Sequence, residues 1–517
     1  MSSDLRVLID GREARVPAGT TVLEAAKSIG IEIPTLCWLP KEKPWASCLV
    51  CAVQVEGSRR TVPSCATVVQ EGMSVSTDSP AVLRQRKVAL ELLLSDHVGD
   101  CIAPCETVCP AHLDIPAMNL AIFEDRLDAA AAIVKDAIPL PATLGRICPA
   151  PCEGRCRRKG QDGSVSVCLL KRYVGDERPE YAPAVAPPNG KRVAVVGAGP
   201  AGLSVAYFLR RRGYAVVVFD GKEQAGGALR DSIPPERLPQ EVLDAEIAAI
   251  AGMGVEFQLG REVRLEEARR NADAVVLATG PAQQREAMVG IDFGDRGIKA
   301  KKGTGETNLP GVFATGASVA PGKISIRSIG DGHAVADSVH EYLSGEKVRR
   351  PAWTLEVDRN STDFPASRRV FASEEARHEP SGGGFSRAEA IAEAARCLRC
   401  GCAKADVCVL RDLSGKYGAE PARYKGAGPE LRNDVSHGEV VFESGKCIRC
   451  GICVRIAARH HEALGLAFVG RGFGTAVGGP FGEPLANALK VAARECALAC
   501  PTGALYLKAG AGEGSAE

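Results

Sequence analysis

Apolar and polar residues alternate over 5–9 (LRVLI) and 13–16 (EARV), on either side of Asp10-Gly11-Arg12. That pattern predicts two short strands joined by an Asp-Gly turn. Thr20 and Thr21 open an apolar-periodic run through Ile29, with Glu24 at the capping-box position for Thr21 and Gly30 placed to end the helix. From about residue 80 to 185 the pattern is helical and rich in cysteine, and the Pro/Ala-rich residues 180–190 read as a linker. Over 191–280 the period changes. Arg192–Val196 is a continuous apolar run, then come closely spaced glycines, a helix through Arg212, and a second apolar run, Ala215–Phe219, ending on Asp220. This is a strand–helix–strand unit. Residues 349–385 are rich in Pro, Ser and Gly, a helix is expected at 386–396, and a last unit runs from about Glu439 to Lys508 before a Gly/Ala-rich tail. No unit repeats in tandem.

A length of 517 residues allows about three or four domains. With 45% hydrophobic and 25% charged residues, packed cores are expected. A net charge of +1 and an aromatic content of 5% argue against nucleic acid or an anionic membrane as partner. Asp4, Arg6, Asp10 and Arg12 interrupt the first residues, so no signal peptide is expected, and no stretch is apolar and long enough to span a bilayer. The twenty cysteines fall in short C-x-x-C-like clusters, which without a signal read as metal ligation and a reducing cytoplasm.

The first cysteine set is Cys37, Cys48, Cys51 and Cys65, spaced C-x10-C-x2-C-x13-C. The last is Cys447, Cys450 and Cys453, completed by Cys500 in Cys-Pro-Thr-Gly. Between them lie Cys101, Cys105, Cys109, Cys148, Cys152, Cys156 and Cys168, then Cys397, Cys400, Cys402 and Cys408. Iron–sulfur clusters take four such ligands each, so the spacing points to one-electron chemistry. For the Cys397–Cys408 group, a zinc knuckle is the alternative, since tetrahedral zinc also uses close cysteine pairs.

The first set, with Ile33-Pro-Thr-Leu-Cys37-Trp38, resembles the [2Fe–2S] domain at the front of the complex I large iron–sulfur subunit, and hairpin, helix and cysteine loop together resemble β-grasp ferredoxins. The resemblance continues through Glu91–Cys101 and implies that His97, four residues before Cys101, ligates iron. Residues 101–168 hold seven cysteines, one short of two four-ligand clusters, and His97 makes eight. After Cys101 the resemblance changes. Cys105-x3-Cys109-Pro, Asp114-Ile-Pro116 and Gly145–Cys156 are similar to the N-terminal domain of the glutamate synthase small subunit, which dihydropyrimidine dehydrogenase shares. There ligands interleave, which implies His97, Cys101, Cys105 and Cys156 for one [4Fe–4S] cluster and Cys109, Cys148, Cys152 and Cys168 for the next. The chain departs from that family where His97 replaces a cysteine and where Cys168 precedes the usual non-cysteine ligand near Lys171 and Arg172.

Gly197-x-Gly199-x-x-Gly202 between strand and helix is the dinucleotide fingerprint, with Asp220 placed for the adenosine ribose. The stretch from Ala225 onward resembles the flavoprotein part of the same small subunit: Ala225-Gly226-Gly227, Ile233-Pro234, Arg237-Leu-Pro239, Gly280 in Ala-Thr-Gly, Gly316 in Gly311–Gly316, and the helix of Asp331-Gly332. The resemblance implies FAD, although the family's Asp after Gly316 is Ala317 here. That family places a whole NAD(P)H-binding domain between the equivalents of Gly280 and Gly311. Here only about thirty residues intervene, too few for such a domain. The C-terminal Cys447–Cys453 motif with Cys500 again resembles the complex I subunit; Cys496 is the spare thiol, and His460 and His461 are expected on a solvated helix.

The expected architecture is multi-domain α/β and α+β. It comprises a β-grasp [2Fe–2S] domain (1–80), a helical domain with two [4Fe–4S] clusters (81–185), a Rossmann-like FAD domain lacking the NAD(P)H insertion (190–348), a linker (349–385), a [4Fe–4S] segment (386–430), a ferredoxin-like [4Fe–4S] domain (431–508) and a tail (509–517). With one FAD, one [2Fe–2S] and four [4Fe–4S] clusters and no catalytic side chain, the expected role is an electron-transfer subunit of a soluble complex. It would sit between an NADH-oxidising, FMN-bearing subunit of complex I type and a hydrogenase- or formate dehydrogenase-type metalloenzyme or ferredoxin. A self-contained NAD(P)H dehydrogenase of glutamate synthase small-subunit type and a non-redox iron–sulfur scaffold are the two alternatives.

Overall fold

The computed structural model describes residues 4–281, 287–322, 324–345, 354–356, 363–380, 382–426 and 430–508; the tail at 509–517 and parts of the 349–385 linker lie outside the described residues. The chain forms two compact units, one of Met1–Ile102, Pro351–Phe371 and Cys400–Glu517, the other of Ala103–Arg350 and Ala372–Arg399. The division cuts two segments that sequence pattern treats as single: 81–185 parts at 102/103 and 386–430 at 399/400.

In the first unit Leu5–Ile9 and Arg12–Val16 pair antiparallel. Asp10 and Gly11 turn between them with φ of 48° and 76°, both left-handed as a tight hairpin turn requires. Leu5–Ile9 also pairs parallel with Met73–Ser76, which pairs antiparallel with Ala52–Val55, itself paired with Thr61–Pro63. The helix Val22–Ser28 lies on this mixed five-stranded sheet. Its start is the expected capping box: Glu24 N–H donates to the Thr21 hydroxyl (3.3 Å) and Thr21 N–H donates to the Glu24 carboxylate (3.0 Å). Val22 and Leu23 are fully buried with Val7, Ile9 and Val53, at about 1.5–3 kcal/mol per side chain. The helix Pro80–Ser95 follows; Arg86 from it donates to the Ala52 carbonyl and to the Tyr417 hydroxyl on helix Val409–Tyr417, both at 3.0 Å. The C-terminal part holds the strands Asn433–Asp434, Val440–Glu443 and Leu505–Leu507 in one sheet, with helices Ile452–Arg459 and Ala493–Ala499 packed around Val440, Ile456 and Leu489.

In the second unit short helices from Pro104 to Glu177 precede a parallel sheet in the order Val312–Ala314, Ala274–Leu277, Arg192–Val196, Ala215–Asp220, Glu256–Leu259. Helix Pro200–Arg211 packs against the long helix Ser325–Ser344. They come close because Gly332 has no side chain: a Cβ there would stand 2.6 Å from the Ala201 carbonyl oxygen. Helix Arg387–Ala395 has the Ser386–Glu389 capping box and packs on Ile115–Phe123.

One buried carboxylate ties the helical part of this unit to its sheet-bearing part. Glu246, on helix Gln240–Gly252, accepts hydrogen bonds from the Ala142 and Thr143 N–H groups at 2.8 and 2.9 Å. It thereby satisfies the open N-terminus of helix Pro141–Ile147. Burial raises its pKa, and Lys135 and the two N–H donors act against that rise. Replacing Glu246 with Ala strands two buried donors, so Glu246→Ala is expected to destabilise this unit by about 1–3 kcal/mol, with Glu246→Gln milder. Urea unfolding should show a lower midpoint at unchanged slope for the Ala variant; an unchanged midpoint would contradict this account.

Candidate iron–sulfur and dinucleotide sites

All twenty cysteines are free thiols. In the first unit Cys37, Cys48, Cys51 and Cys65 are all buried, and Leu49 inside the Cys48–Cys51 turn is left-handed with φ of 55°. Cys51 and Cys65 bring their sulfurs within 3.4 Å. Hydrogen bonding within each pair pulls Cys37 (by Cys48) and Cys51 (by Cys65) toward the thiolate and pushes Cys48 and Cys65 the other way.

Cys447, Cys450 and Cys453 lie on the turn entering helix Ile452–Arg459, and Cys500 ends helix Ala493–Ala499. Arg449 is left-handed with φ of 52°, which lets its N–H donate to Cys447 Sγ at 3.4 Å. Successive N–H groups turned toward one point are how backbone cradles an anionic cluster. Burial pushes the Cys447 and Cys450 thiols up to about 12, with the Cys500 sulfur adding to it. Cys496 is fully buried and its thiol donates to the Cys453 carbonyl at 3.6 Å, so it has a partner of its own. His460, at the end of Ile452–Arg459, pairs with Glu495 at 2.5 Å. The two sets are neighbours. Arg455 donates to the Cys37 carbonyl at 2.5 Å and to that of Lys43 at 3.3 Å, and its guanidinium lies 5.0 Å from the Trp45 ring centre.

A third gathering of sulfurs in this unit brings Cys101 near Cys402 and Cys408. Cys402 N–H donates to the Cys101 carbonyl at 3.2 Å. Burial pushes the Cys408 thiol up to about 11, with the Cys402 and Cys101 sulfurs contributing. Cys101 is likewise raised by burial, and Cys402 adds to it. Cys101 therefore lies near Cys402 and Cys408 within this unit. The physical reason is chain return: Leu355 donates its N–H to Cys101 Sγ (3.2 Å) and accepts from Cys101 N–H (2.9 Å), and Cys402 closes on the other side. His97 stands beside Lys446; burial first, then the Lys446 charge, lowers its pKa to about 4. Its Nδ1 is buried without a hydrogen-bond partner, which costs free energy unless something else bonds it. A neutral imidazole with a free buried nitrogen is the form that binds iron.

In the second unit Lys171 gathers the other sulfurs. Burial alone would lower its pKa, yet Cys168, Cys148, Cys152 and Cys109 together raise it. These are the four residues the resemblance implied for one cluster. Helix Pro104–Val108, carrying Cys105, packs against Pro151–Gly154. Burial raises the Cys156 pKa, and the Cys397 sulfur adds to it. Among the described residues no three His, Cys, Asp or Glu side chains converge as the ligands of one ion would; a cluster spreads its four protein ligands over two or four irons, so no three need converge on one. Buried thiols with raised pKa values stay protonated until a cation takes the proton's place, which is what these donor sets offer iron.

The dinucleotide groove lies at the carboxyl ends of the parallel strands, with a volume of about 620 Å³, lined by Gly197, Gly199, Asp220, Gly227, Gly280 and Ser328, with Ala317 at its edge. A Cβ at Gly202 would stand 1.9 Å from the Gly197 oxygen, and one at Gly227 2.9 Å from Gly199 Cα, so only glycine permits this turn. Helix Pro200–Arg211 has no side-chain cap and presents its N–H groups to the groove, the arrangement that holds a pyrophosphate. Asp220 accepts from the Ala198 N–H (2.7 Å) and the Lys222 N–H (2.9 Å), shaping the loop as well as facing the groove. The Thr279 hydroxyl is buried at the groove without a hydrogen-bond partner. Gly226 and Gly316 take φ of 125° and 67° beside it, whereas Asp331 sits on helix Ser325–Ser344, whose Ser325 and Ser328 are the residues that line the groove. Sequence pattern pointed to neither serine, nor to Thr279. From Gly280 to Gly311 the described residues form the two-residue strands Phe293–Gly294 and Gly297–Ile298 and a single bridge from Glu306 to Phe313, and no strand–helix–strand unit.

No helix among the described residues is long and apolar enough to cross a membrane. Residues 2–80 match a family described as a 2Fe-2S iron-sulfur cluster binding domain, 97–182 the 4Fe-4S domain II of dihydropyrimidine dehydrogenase, and 195–259 an NAD(P)-binding Rossmann-like domain. The chain is 42% identical over 209 residues to the NADPH-Fe(3+) oxidoreductase subunit beta of Geobacter sulfurreducens, covering 38% of this chain and 30% of that one. It is 40% identical over 226 residues to the NADP(+)-dependent formate dehydrogenase subunit beta of Moorella thermoacetica, covering 38% and 32%. With the glutamate synthase [NADPH] small chain of Escherichia coli it shares 37% identity over 202 residues, covering 37% and 42%. The aligned part thus spans about a third of the length of the first two relatives. The chain therefore combines iron–sulfur domains with a dinucleotide-binding domain, and these relatives are named as subunits of an NADPH-Fe(3+) oxidoreductase, a formate dehydrogenase and a glutamate synthase.

Proposed function

We propose that this chain is an FAD- and iron–sulfur-containing electron-transfer subunit of a multi-subunit oxidoreductase. It relays electrons between an NADH-oxidising, FMN-bearing partner of complex I type and a low-potential metalloenzyme, of hydrogenase or formate dehydrogenase kind, or a ferredoxin. The observation that carries this reading is the adjacency of three ligand sets within one packed unit, bridged by Arg455 at Cys37 and by Lys404, which donates to the Cys500 carbonyl at 2.7 Å. Short steps between clusters are what a one-electron relay needs, while the protein contributes spacing and electrostatics.

On this reading Cys37, Cys48, Cys51 and Cys65 hold a [2Fe–2S] cluster. Four-iron clusters are held by Cys447, Cys450, Cys453 and Cys500; by His97, Cys101, Cys402 and Cys408; and by Cys109, Cys148, Cys152 and Cys168. Of twenty ligands, these sixteen leave Cys105, Cys156, Cys397 and Cys400. FAD occupies the glycine-lined groove, supported by the second glycine element at Gly311–Gly316 and by Gly280. The short stretch after Gly280 supports the absence of an in-chain hydride donor. A second reading, in which the groove takes NAD(P), is favoured by the NAD(P)-binding family match over 195–259; it makes the chain a self-contained NAD(P)H dehydrogenase.

Anaerobically reconstituted protein should carry about eighteen iron atoms, from one two-iron and four four-iron clusters. Cys500→Ser should lose or convert one four-iron cluster and Cys496→Ser should keep the full count; a count near ten, or the reverse pattern for the two variants, would sink the ligand assignment.

Cys101→Ser, Cys402→Ser and Cys408→Ser should each abolish the same paramagnetic signal, and His97→Cys should retain that signal at lower potential, because thiolate adds negative charge where imidazole had none. Different signals lost from Cys101→Ser and Cys402→Ser would separate the two residues.

The isolated chain should bind FAD, yet show little reduction of it by NADH or NADPH, whereas dithionite reduces it fully. Hydride transfer requires the nicotinamide held about 3–3.5 Å from the flavin by its own site. Adding an NADH-oxidising, FMN-bearing subunit should restore reduction. Stopped-flow bleaching of the flavin by NAD(P)H alone at catalytic rates would falsify the relay, and a chain that binds NAD(P) but no FAD would establish the second reading.

A further inference from the structure

Between the C-terminal ligand set and the histidine-containing one lies a group of buried charges that ligation does not use. Lys446 immediately precedes Cys447 in the chain, is 2% exposed, and its ammonium contacts the Glu443 carboxylate at 2.7 Å and donates to the Gly401 carbonyl at 3.2 Å, next to Cys402. Its aliphatic stem lies against the backbone between His97 and Cys101: a Cβ at Gly99 would stand 3.1 Å from Lys446 Cε. Val98 N–H donates to the Gly445 carbonyl at 2.6 Å, fixing the two segments side by side. Glu443 also pairs with Arg368, 1% exposed, and accepts from the Tyr506 hydroxyl at 2.9 Å. Burial would raise the Glu443 pKa, but Lys446 and Arg368 outweigh it and hold the carboxylate ionised. Two cations and one anion are thus sealed from water, an arrangement whose desolvation cost makes it weak evidence for stability alone.

We propose that Lys446 is a positioning residue that sets reduction potential: its buried ammonium, steadied by Glu443, favours the reduced state of the cluster held by His97, Cys101, Cys402 and Cys408. The inference rests on that ligand set. Reduction adds one electron and therefore one negative charge to the cluster, and a fixed cation close by in a low-dielectric interior stabilises the more negative state. The neutral histidine ligand acts in the same direction, since replacing thiolate by imidazole raises cluster potential. Together they make this cluster the place where an electron arriving from the Cys37 and Cys447 side comes to rest. Lys446 reaches both four-iron sites, by sequence at Cys447 and by contact at Gly99 and Gly401, and the contacts favour the histidine side.

The test is a dithionite titration of the full, cluster-loaded chain followed by paramagnetic resonance, with iron counted in parallel. Lys446→Met keeps the stem and removes the charge. At the potential where the wild-type histidine-ligated cluster is half reduced, its reduced-to-oxidised ratio should fall at least tenfold, a downward shift of about 59 mV or more for one electron. Glu443→Gln should shift the same signal upward, and Lys446→Arg should leave it near wild type. Unmoved potentials in Lys446→Met with iron intact, or a shift upward, would overturn the proposal. If Lys446→Met fails to take up iron, the Glu443→Gln titration decides: an upward shift supports the proposal and an unmoved signal overturns it. A wild-type spectrum with no signal removed by Cys402→Ser would instead overturn the ligand set itself, and this inference with it.

Discussion

A single backbone hydrogen bond, from Cys402 N–H to the Cys101 carbonyl, joins residues about 300 positions apart. The first unit depends on it. The chain leaves at Ile102, returns for Pro351–Phe371, leaves again for Ala372–Arg399 and re-enters at Cys400. Such an excursion costs little in closure entropy, because that cost grows only as the logarithm of loop length, about 0.6 kcal/mol per doubling. What it demands is that both ends be held at one place, and Leu355 bonding Cys101 in both directions supplies the second hold.

The interior of this unit carries buried polar and ionisable groups that hydrophobic packing alone does not explain. Thiols whose burial raises their pKa, an imidazole with an unpartnered buried nitrogen, and a sealed Lys446–Glu443–Arg368 group would each be a liability in an ordinary core. Around anionic clusters they become an asset, since N–H groups, neutral imidazole and cations all favour added electrons.

The second unit works through backbone proximity. Its glycines at 197, 202, 227 and 332 are positions where a Cβ would strike backbone, so the loop, the first helix and the long helix Ser325–Ser344 lock together and leave a groove at the strand ends. Asp220 serves that loop directly by accepting the Ala198 N–H. Glu246 does the equivalent task for the helical part, capping Pro141–Ile147 from another helix.

Local chemistry was legible in the sequence wherever neighbours along the chain decide it. The hairpin around Asp10-Gly11, the Thr21–Glu24 and Ser386–Glu389 caps and the strand–glycine–helix element at 192–211 all depend on spacing that the chain carries with it. The nearness of Cys101 to Cys402 and Cys408, the influence of the Cys397 sulfur on Cys156, and the burial of Lys446 against Gly99 do not. The resemblance grouped Cys101 with Cys105 and Cys156, spacing grouped Cys397 with Cys400, Cys402 and Cys408, and neither placed Cys101 beside Cys402. That nearness is decided by how the chain returns on itself, which is set by long-range packing that no local pattern encodes.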